Sequence, residues 1–277
     1  MAFDAPTGTF RARDGTDLFY HLWEARDPKG WLLALHGLGA HGGWYESLAA
    51  FLLPRGLSTV AFDMRGHGLT RWPLASLPSP RRAREDASEI FEALRRRAGP
   101  TPVGGVGTSL GGAVLLSAMA AGAPAAGGVL LSPAMKQRFL PPGEMARIAC
   151  GLPFGRRAGF PTPLARGLPL TRDPGKQRAL HEDRLALRRL PTMSWIQAAR
   201  MMAAGRKAID GVRRPLLVIQ AGDDEVIDGL ENERLFSARE NVTWRSWPGA
   251  HDVKLAGDVG DLAGAVADWW NGSFLRG

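Results

Sequence analysis

The stretch Gly107-Thr108-Ser109-Leu110-Gly111 constrains this chain more than any other. It lies between a short apolar run, 102–106, and a small-residue segment, 111–121, whose composition suits a helix. Glycine on both sides of a serine lets the backbone pass through a strained strand-to-helix turn, so that the hydroxyl projects clear of a sheet. With 35 glycines in 277 residues, a G-x-S-x-G match also arises by chance, so the flanking segments have to carry the inference.

They do so in register. Residues 31–35 form an apolar run of strand length that leads into His36-Gly37-Leu38-Gly39; residues 57–62 form a second, closed by Asp63-Met64-Arg65-Gly66-His67-Gly68. Between them Trp44, Leu48, Phe51 and Leu52 recur at helical spacing. Residues 9–25 alternate around Asp14-Gly15 and read as an opening antiparallel hairpin. Further strands are expected at 127–131, 215–220 and 242–247, with a last helix at 262–270. Alternating strands and helices predict an α/β fold with a mostly parallel central sheet flanked by helices, its working residues in loops at the carboxyl ends of the strands.

Four segments taken in order, HGLGAHGGWYESLAAFLLPRGLSTVAFDMRGHGLT, GTSLGG, LLVIQAGDDEVID and PGAHD, resemble the α/β-hydrolase superfamily. The similarity is to the branch of serine hydrolases that includes monoacylglycerol lipases and bacterial lysophospholipases. Branch members usually carry His before the nucleophile and Ser where this chain has Thr70; Thr108 and Thr70 depart from that pattern without touching the chemistry. The resemblance implies an α/β-hydrolase core at 1–132 and 211–277, with a helical cap (lid), 133–210, inserted after the sixth strand. Within that cap Pro141, Pro142, Pro153, Pro161, Pro163, Pro169 and Pro174 break up long elements, and helical periodicity returns at 180–190 and 194–204.

A serine hydroxyl is a poor nucleophile without a base beside it and a carboxylate to orient that base. The resemblance assigns His36 and His67 to scaffolding; His21 lies on the hairpin, His41 in a loop and His181 in the cap. His251 follows the last strand, and the chain order serine, acid, histidine makes it the expected base for Ser109. The loop after 215–220 offers Asp223, Asp224, Glu225 and Asp228; the family pattern matches Asp224, leaving Asp223 and Asp228 as loop-shaping groups. Asp63 is read as tying its own turn. Oxyanion donors are expected from the backbone N–H groups of Leu110, at the helix start, and Leu38, in the 36–39 loop. Trp195, Met201 and Met202 either line an acyl-chain pocket or pack on the core.

The chemistry this implies is acyl transfer to Ser109 and hydrolysis of a carboxylic ester in a single-chain lipid, a lysophospholipid or a monoacylglycerol, with no cofactor or metal. A small-ester esterase, a thioesterase or a C–C hydrolase would use the same triad, and a non-catalytic ligand-binding member of the fold is the alternative from another class. Gly104-Gly105-Val106-Gly107 lacks G-x-G-x-x-G spacing and is read as glycine supplied for the serine turn. Cys150, the single cysteine, excludes an internal disulfide, and no Cys/His cluster has metal-site spacing. The start Met1-Ala2-Phe3 shows no basic leader followed by an apolar stretch, so the expected location is cytoplasmic. Residues 133–214 hold 17 Lys/Arg against 5 Asp/Glu, while the remainder hold 18 against 22. That concentration of charge suits peripheral contact with an anionic membrane or a solvated surface. No aromatic-interleaved basic stripe marks nucleic-acid binding.

Overall fold

The computed structural model describes residues 3–138, 143, 159–255 and 258–275. Cys150 and three of the prolines in the segment 133–210, Pro141, Pro142 and Pro153, lie outside the described residues.

An eight-stranded sheet runs through the molecule in the order β1-β2-β4-β3-β5-β6-β9-β10. β1 (Thr7–Arg11) and β2 (Asp17–Trp23) form the expected hairpin, and β2 also pairs antiparallel with β4 (Leu57–Phe62). β3 (Gly30–Leu35), β5 (Val103–Thr108), β6 (Gly128–Leu131), β9 (Leu216–Ala221) and β10 (Val242–Trp247) continue it in parallel. The central strands are buried on both faces, which is why they read as unbroken apolar runs. Successive side chains still point opposite ways. In β3, Leu33 and Leu35 join a cluster with Phe91 of α2 (Pro80–Ala98) and Leu115 of α3 (Leu110–Ala120). Leu32 and Ala34 join Leu48 of α1 (Glu46–Leu52) and Trp270 of α7 (Val259–Phe274).

Between β6 and β9 the described chain forms a two-stranded antiparallel ribbon, β7 (Gly159–Pro161) with β8 (Arg189–Pro191), and helices α4 (Pro174–Glu182) and α5 (Thr192–Ala208). A third apolar cluster, including Leu164, Leu170, Leu180 and Ala186, packs with Val226 and Ile227 of the loop before α6 (Gly229–Phe236). The helix expected at 180–190 is displaced to α4. Asp173 accepts hydrogen bonds from the N–H groups of Gly175 and Lys176, and Pro174 occupies the first turn, so the helix starts earlier. It stops at Glu182 because Asp183 turns away to the core, where its carboxylate is engaged.

α5 shows two different apolar faces. Ser194, Ala198, Met201 and Gly205 are buried at 4-3-4 spacing, and Gly205 packs so closely on Ala113 of α3 that a Cβ there would come within 2.6 Å of its backbone. Trp195, Ala198, Ala199 and Met202 border the cavity described next.

Candidate active site

The turn after β5 places Ser109 at φ 53°, ψ −117°, a conformation that strains any residue with a Cβ. Its tightness comes from close backbone packing. A Cβ on Gly111 would lie 2.0 Å from the Leu35 carbonyl oxygen, and one on Gly107 2.7 Å from the Gly112 backbone. The remaining glycines of this run have other causes. A Cβ on Gly104 would meet the Trp270 ring at 2.6 Å, and one on Gly105 the Leu115 side chain at 2.4 Å. Only Gly107 of the four-residue segment serves the turn; Gly104 and Gly105 make room for side chains packed on the sheet.

Ser109 opens onto a cavity of about 840 Å³, counted with its open mouth. Leu38, Leu110, Trp44, Leu164, Leu170, Trp195, Met202, Val226 and Ile227 are among its walls, together with His251 and Asp252. Met201, the third substrate-contact candidate, is absent from that lining and lies buried in the apolar cluster that holds Ala113 and Leu116 of α3. Trp195 and Met202 do face the cavity. No Lys or Arg side chain lines it among the described residues.

His251 is carried by the loop after β10, and its Nδ1–H donates to the Asp224 carboxylate, 2.8 Å from Oδ2 and 3.0 Å from Oδ1. Asp224 lies in the loop after β9, where Oδ1 also accepts the backbone N–H groups of Val226 (2.9 Å) and Ile227 (2.8 Å). Burial pushes this carboxyl up. The charge of His251 and the hydrogen bonds from His251, Ile227 and Val226 outweigh it and hold the group below the ordinary carboxylate range. The neighbouring carboxylates do other work. Asp223 is exposed and pairs with Arg172; Asp228 caps α6 through the Glu231 N–H and pairs with Lys136 at 2.8 Å. Ser109 Oγ makes no hydrogen bond to His251 among the described residues, although both line the same cavity. Contacts of this kind commonly tighten only when substrate is held.

Leu38 and Leu110 both border the cavity, and their N–H groups enter none of the loop and cap hydrogen bonds found among the described residues. Leu110 is the first residue of α3, so its N–H has no acceptor one turn back. The Leu38 loop is braced from below. Gly39 N–H donates to His67 Nε2 at 3.2 Å, and Met64 N–H donates to His36 Nε2 at 2.9 Å. Burial drives both imidazoles neutral, pulling His67 down to about 4 and His36 well below its usual range. Asp63 ties this region as well, accepting Gly42 N–H and Leu69 N–H at 2.7 Å each. Those bonds also bear on the one metal-like grouping among the described residues, His21, His41 and Asp63 within 4.8 Å. Both Asp63 oxygens are taken, and His41 contacts Gly43 N–H and Asp183, which leaves a poor donor set for an ion.

Three features had no signal in the local sequence pattern. Asp183 accepts from Trp44 Nε1–H at 2.7 Å and contacts His41 Nε2 at 2.8 Å, joining the segment after α4 to the loop before α1. Asp252 and Lys254 form a buried ion pair at 2.6 Å, with the ammonium 4.8 Å from the centre of the Tyr45 ring. Tyr45 Oη donates to the Leu35 carbonyl and lies 2.8 Å from Thr108 Oγ1, one residue before the serine. Thr108 therefore has a structural partner that its sequence position alone does not announce.

The chain matches the serine aminopeptidase S33 (Hydrolase_4) family over residues 26–250. An Escherichia coli K12 protein, YnbC, is 28% identical over 225 residues, 79% of this chain and 38% of that protein. Human monoglyceride lipase is 32% identical over 122 residues, 43% of this chain and 40% of that protein. The matches thus cover about two fifths of the length of these curated relatives. The crystal structure of a soluble variant of Saccharomyces cerevisiae monoglyceride lipase with a substrate analogue superposes with a TM-score of 0.80 at 19% identity, covering 97% of this chain and 94% of that one.

Proposed function

Since the chain belongs to the serine aminopeptidase S33 (Hydrolase_4) family of α/β-hydrolases, we propose that it cleaves carboxylic esters through an acyl-enzyme on Ser109. The observation that carries this reading is the buried Asp224–His251 pair, whose imidazole lines an apolar cavity together with Ser109. Ser109 Oγ attacks the ester carbonyl while His251 Nε2 takes its proton. The negative oxygen of the tetrahedral intermediate is received by the N–H groups of Leu38 and Leu110. The imidazolium, steadied by Asp224, gives its proton to the leaving alcohol as the carbon–oxygen bond breaks. Water then enters, loses a proton to His251, attacks the acyl carbon and releases the acid with regeneration of Ser109. Every group needed is a side chain or backbone amide of this chain.

The lining supports one substrate class. Leu164, Leu170, Trp195, Met202, Val226 and Ile227 suit one acyl chain, and the name of the human relative, a monoglyceride lipase, agrees with such a substrate. The charge at Asp252 is balanced by Lys254, and no cationic side chain stands free in the described wall to hold a phosphate. This favours a neutral glyceryl head group over a lysophospholipid. The cap, assigned to 133–210, is anchored to the core through α5 and through Asp183, and its arginines Arg188 and Arg189 hydrogen-bond the carbonyls of His181 and Gly159 outside the cavity. Among the described residues no helix is long and apolar enough to cross a membrane. The test is turnover of p-nitrophenyl esters and of monoacylglycerol by the purified protein and its Ser109→Ala variant. Equal rates for the two proteins would overturn the assignment.

A further inference from the structure

Asp224 Oδ2, the oxygen nearer to His251, has a second partner. Gln220 Nε2 donates to it at 3.1 Å from the penultimate position of β9, and donates also to the Ala221 carbonyl at 3.2 Å. Gln220 is buried, and its Oε1 accepts from Asn232 Nδ2 at 2.8 Å. Asn232, fully buried in α6, uses the same nitrogen to donate to the Pro133 carbonyl at 2.8 Å. Its own Oδ1 has no partner among the described residues.

An amide side chain has one donor end and one acceptor end, so its orientation is fixed by what it faces. The Pro133 carbonyl can only accept. It obliges Asn232 to present nitrogen, which obliges Gln220 to present oxygen to Asn232 and nitrogen to Asp224. Turning Asn232 over would satisfy nothing: its oxygen would face two oxygens, Pro133 O and Gln220 Oε1. Turning both amides would set Gln220 Oε1 against the Asp224 carboxylate and the Ala221 carbonyl. The unpaired Asn232 Oδ1 is thus the cheaper arrangement in a buried site where each polar mismatch is costly. We infer that Gln220 and Asn232 form a directional relay from the root of the cap at Pro133 to Asp224, and act as positioning residues that hold the carboxylate in the orientation His251 requires. The inference rests on Asp224 being the acid of the triad.

The relay has a consequence that a merely structural contact lacks. The Gln220 N–H dipole points its positive end at the Asp224–His251 pair, so removing it favours the imidazolium. The other charges at the site, the Asp252–Lys254 pair, Arg138 on the Asp224 backbone carbonyl and the Arg172–Asp223 pair, stay in place. In Gln220→Met, which keeps the length of the chain and loses both ends of the amide, the acid limb of kcat/KM should move up by about half a pH unit. At the same time kcat should fall on the order of tenfold with KM unchanged. Asn232→Leu, which leaves Gln220 in place but unsteered, should move both quantities less and in the same direction. Gln220→Glu, with an acceptor or a charge facing Asp224, should move the limb further than Gln220→Met. If either Gln220→Met or Asn232→Leu melts cooperatively and its profile superposes on that of the parent, the relay is wrong. Should neither fold, the unaltered enzyme decides: the side-chain amide resonances of Gln220 must titrate with the acid limb, and flat resonances overturn the inference. Full activity in Asp224→Asn would instead overturn the triad reading beneath it.

Discussion

Replacing Asp224 by asparagine tests the site most sharply, because the structure dictates which way the new amide must face. Oδ1 accepts the backbone N–H groups of Val226 and Ile227, whose positions are set by the loop. The oxygen of the introduced amide has to stay there, so its NH₂ occupies the Oδ2 position, 2.8 Å from His251 Nδ1 and 3.1 Å from Gln220 Nε2. Facing a donor, His251 Nδ1 must give up its proton and accept. The single remaining imidazole proton then sits on Nε2, the atom that should receive the proton of Ser109. The fold is left nearly intact and the base is in the wrong tautomer. In a Ser-His-Asp arrangement this error lowers kcat by about 10⁴, which corresponds to about 5.5 kcal/mol of barrier. KM should change little, since the carboxylate does not touch the acyl chain. The variant's amide also meets the Gln220 donor head-on, so a loss of stability of about 1–3 kcal/mol is expected from the unsatisfied pair. The assay is steady-state hydrolysis of a p-nitrophenyl ester beside urea denaturation of the same preparation. A folded Asp224→Asn enzyme that keeps a tenth or more of the parent kcat would refute the reasoning and send the search for the acid back to the Asp223–Asp228 loop.

Other consequences are open to simpler measurements. Ser109→Ala should hydrolyse no ester while melting like the parent, and Ser109→Gly should melt higher than Ser109→Ala. Relief of about 1–3 kcal/mol of strain at φ 53° exceeds the chain-entropy cost of under about 1 kcal/mol for glycine; equal melting temperatures would mean the turn is not strained. Met202→Ala should flatten the rise of kcat/KM with acyl length, where each buried methylene contributes about 0.8 kcal/mol. Met201→Ala should instead cost about 2–5 kcal/mol of stability and leave the chain-length profile alone; the opposite pattern would reverse the two faces of α5. Stability should also fall on mild acidification. His67 is held down to about 4, so between about pH 6.5 and pH 4 the unfolded chain binds the proton and the folded one does not. The loss approaches about 3 kcal/mol across that window, with His36 acting in the same direction. His67→Gln, which keeps an oxygen for the Gly39 N–H, should show a shallower pH dependence of its urea midpoint than the parent, and an unchanged slope would sink the attribution.

The positions of the core strands along the chain were legible because a doubly covered parallel sheet writes itself as local runs. Residues 31–35, 57–62 and 103–108 each carry enough consecutive small or apolar side chains to be buried on both faces, and each ends in a turn. The positions of Ser109, Asp224 and His251 were legible for a related reason: each stands at the carboxyl end of a strand, where the chain changes direction. What stayed hidden depends on partners far away in sequence. Gly104 looks like part of the serine turn until Trp270 is seen lying against it, 166 positions later. Leu187 and Leu190 keep helical spacing with Leu180 yet are buried from a ribbon and its approach, because Asp183 leaves the helix for Trp44 and His41.

α5 shows most clearly why periodicity cannot assign a role. A helix wedged between a core helix and a cavity is apolar on both sides, and its sequence carries no mark of which side meets protein and which meets substrate. Trp195, Met201 and Met202 therefore look equivalent as a string. Glycine breaks the tie once its contact is known: Gly205 allows α5 to lie against Ala113, and Met201, four residues before it, turns the same way. Trp195, Ala198, Ala199 and Met202 border the cavity that Ser109 also lines. The segment between β6 and β9 is tied to the rest of the chain at several points. Pro133 at its root holds the Asn232 amide, Asp183 in its middle holds Trp44, and Gly205 near its end seats on α3. If this segment acts as a cap, a substrate that separates it from the core has to work against Asp183, whose contacts with Trp44 and His41 lie beside the cavity wall. Asp183→Asn, which retains an oxygen for Trp44 Nε1–H but loses the charge facing His41, should therefore alter KM for long-chain esters before it alters kcat.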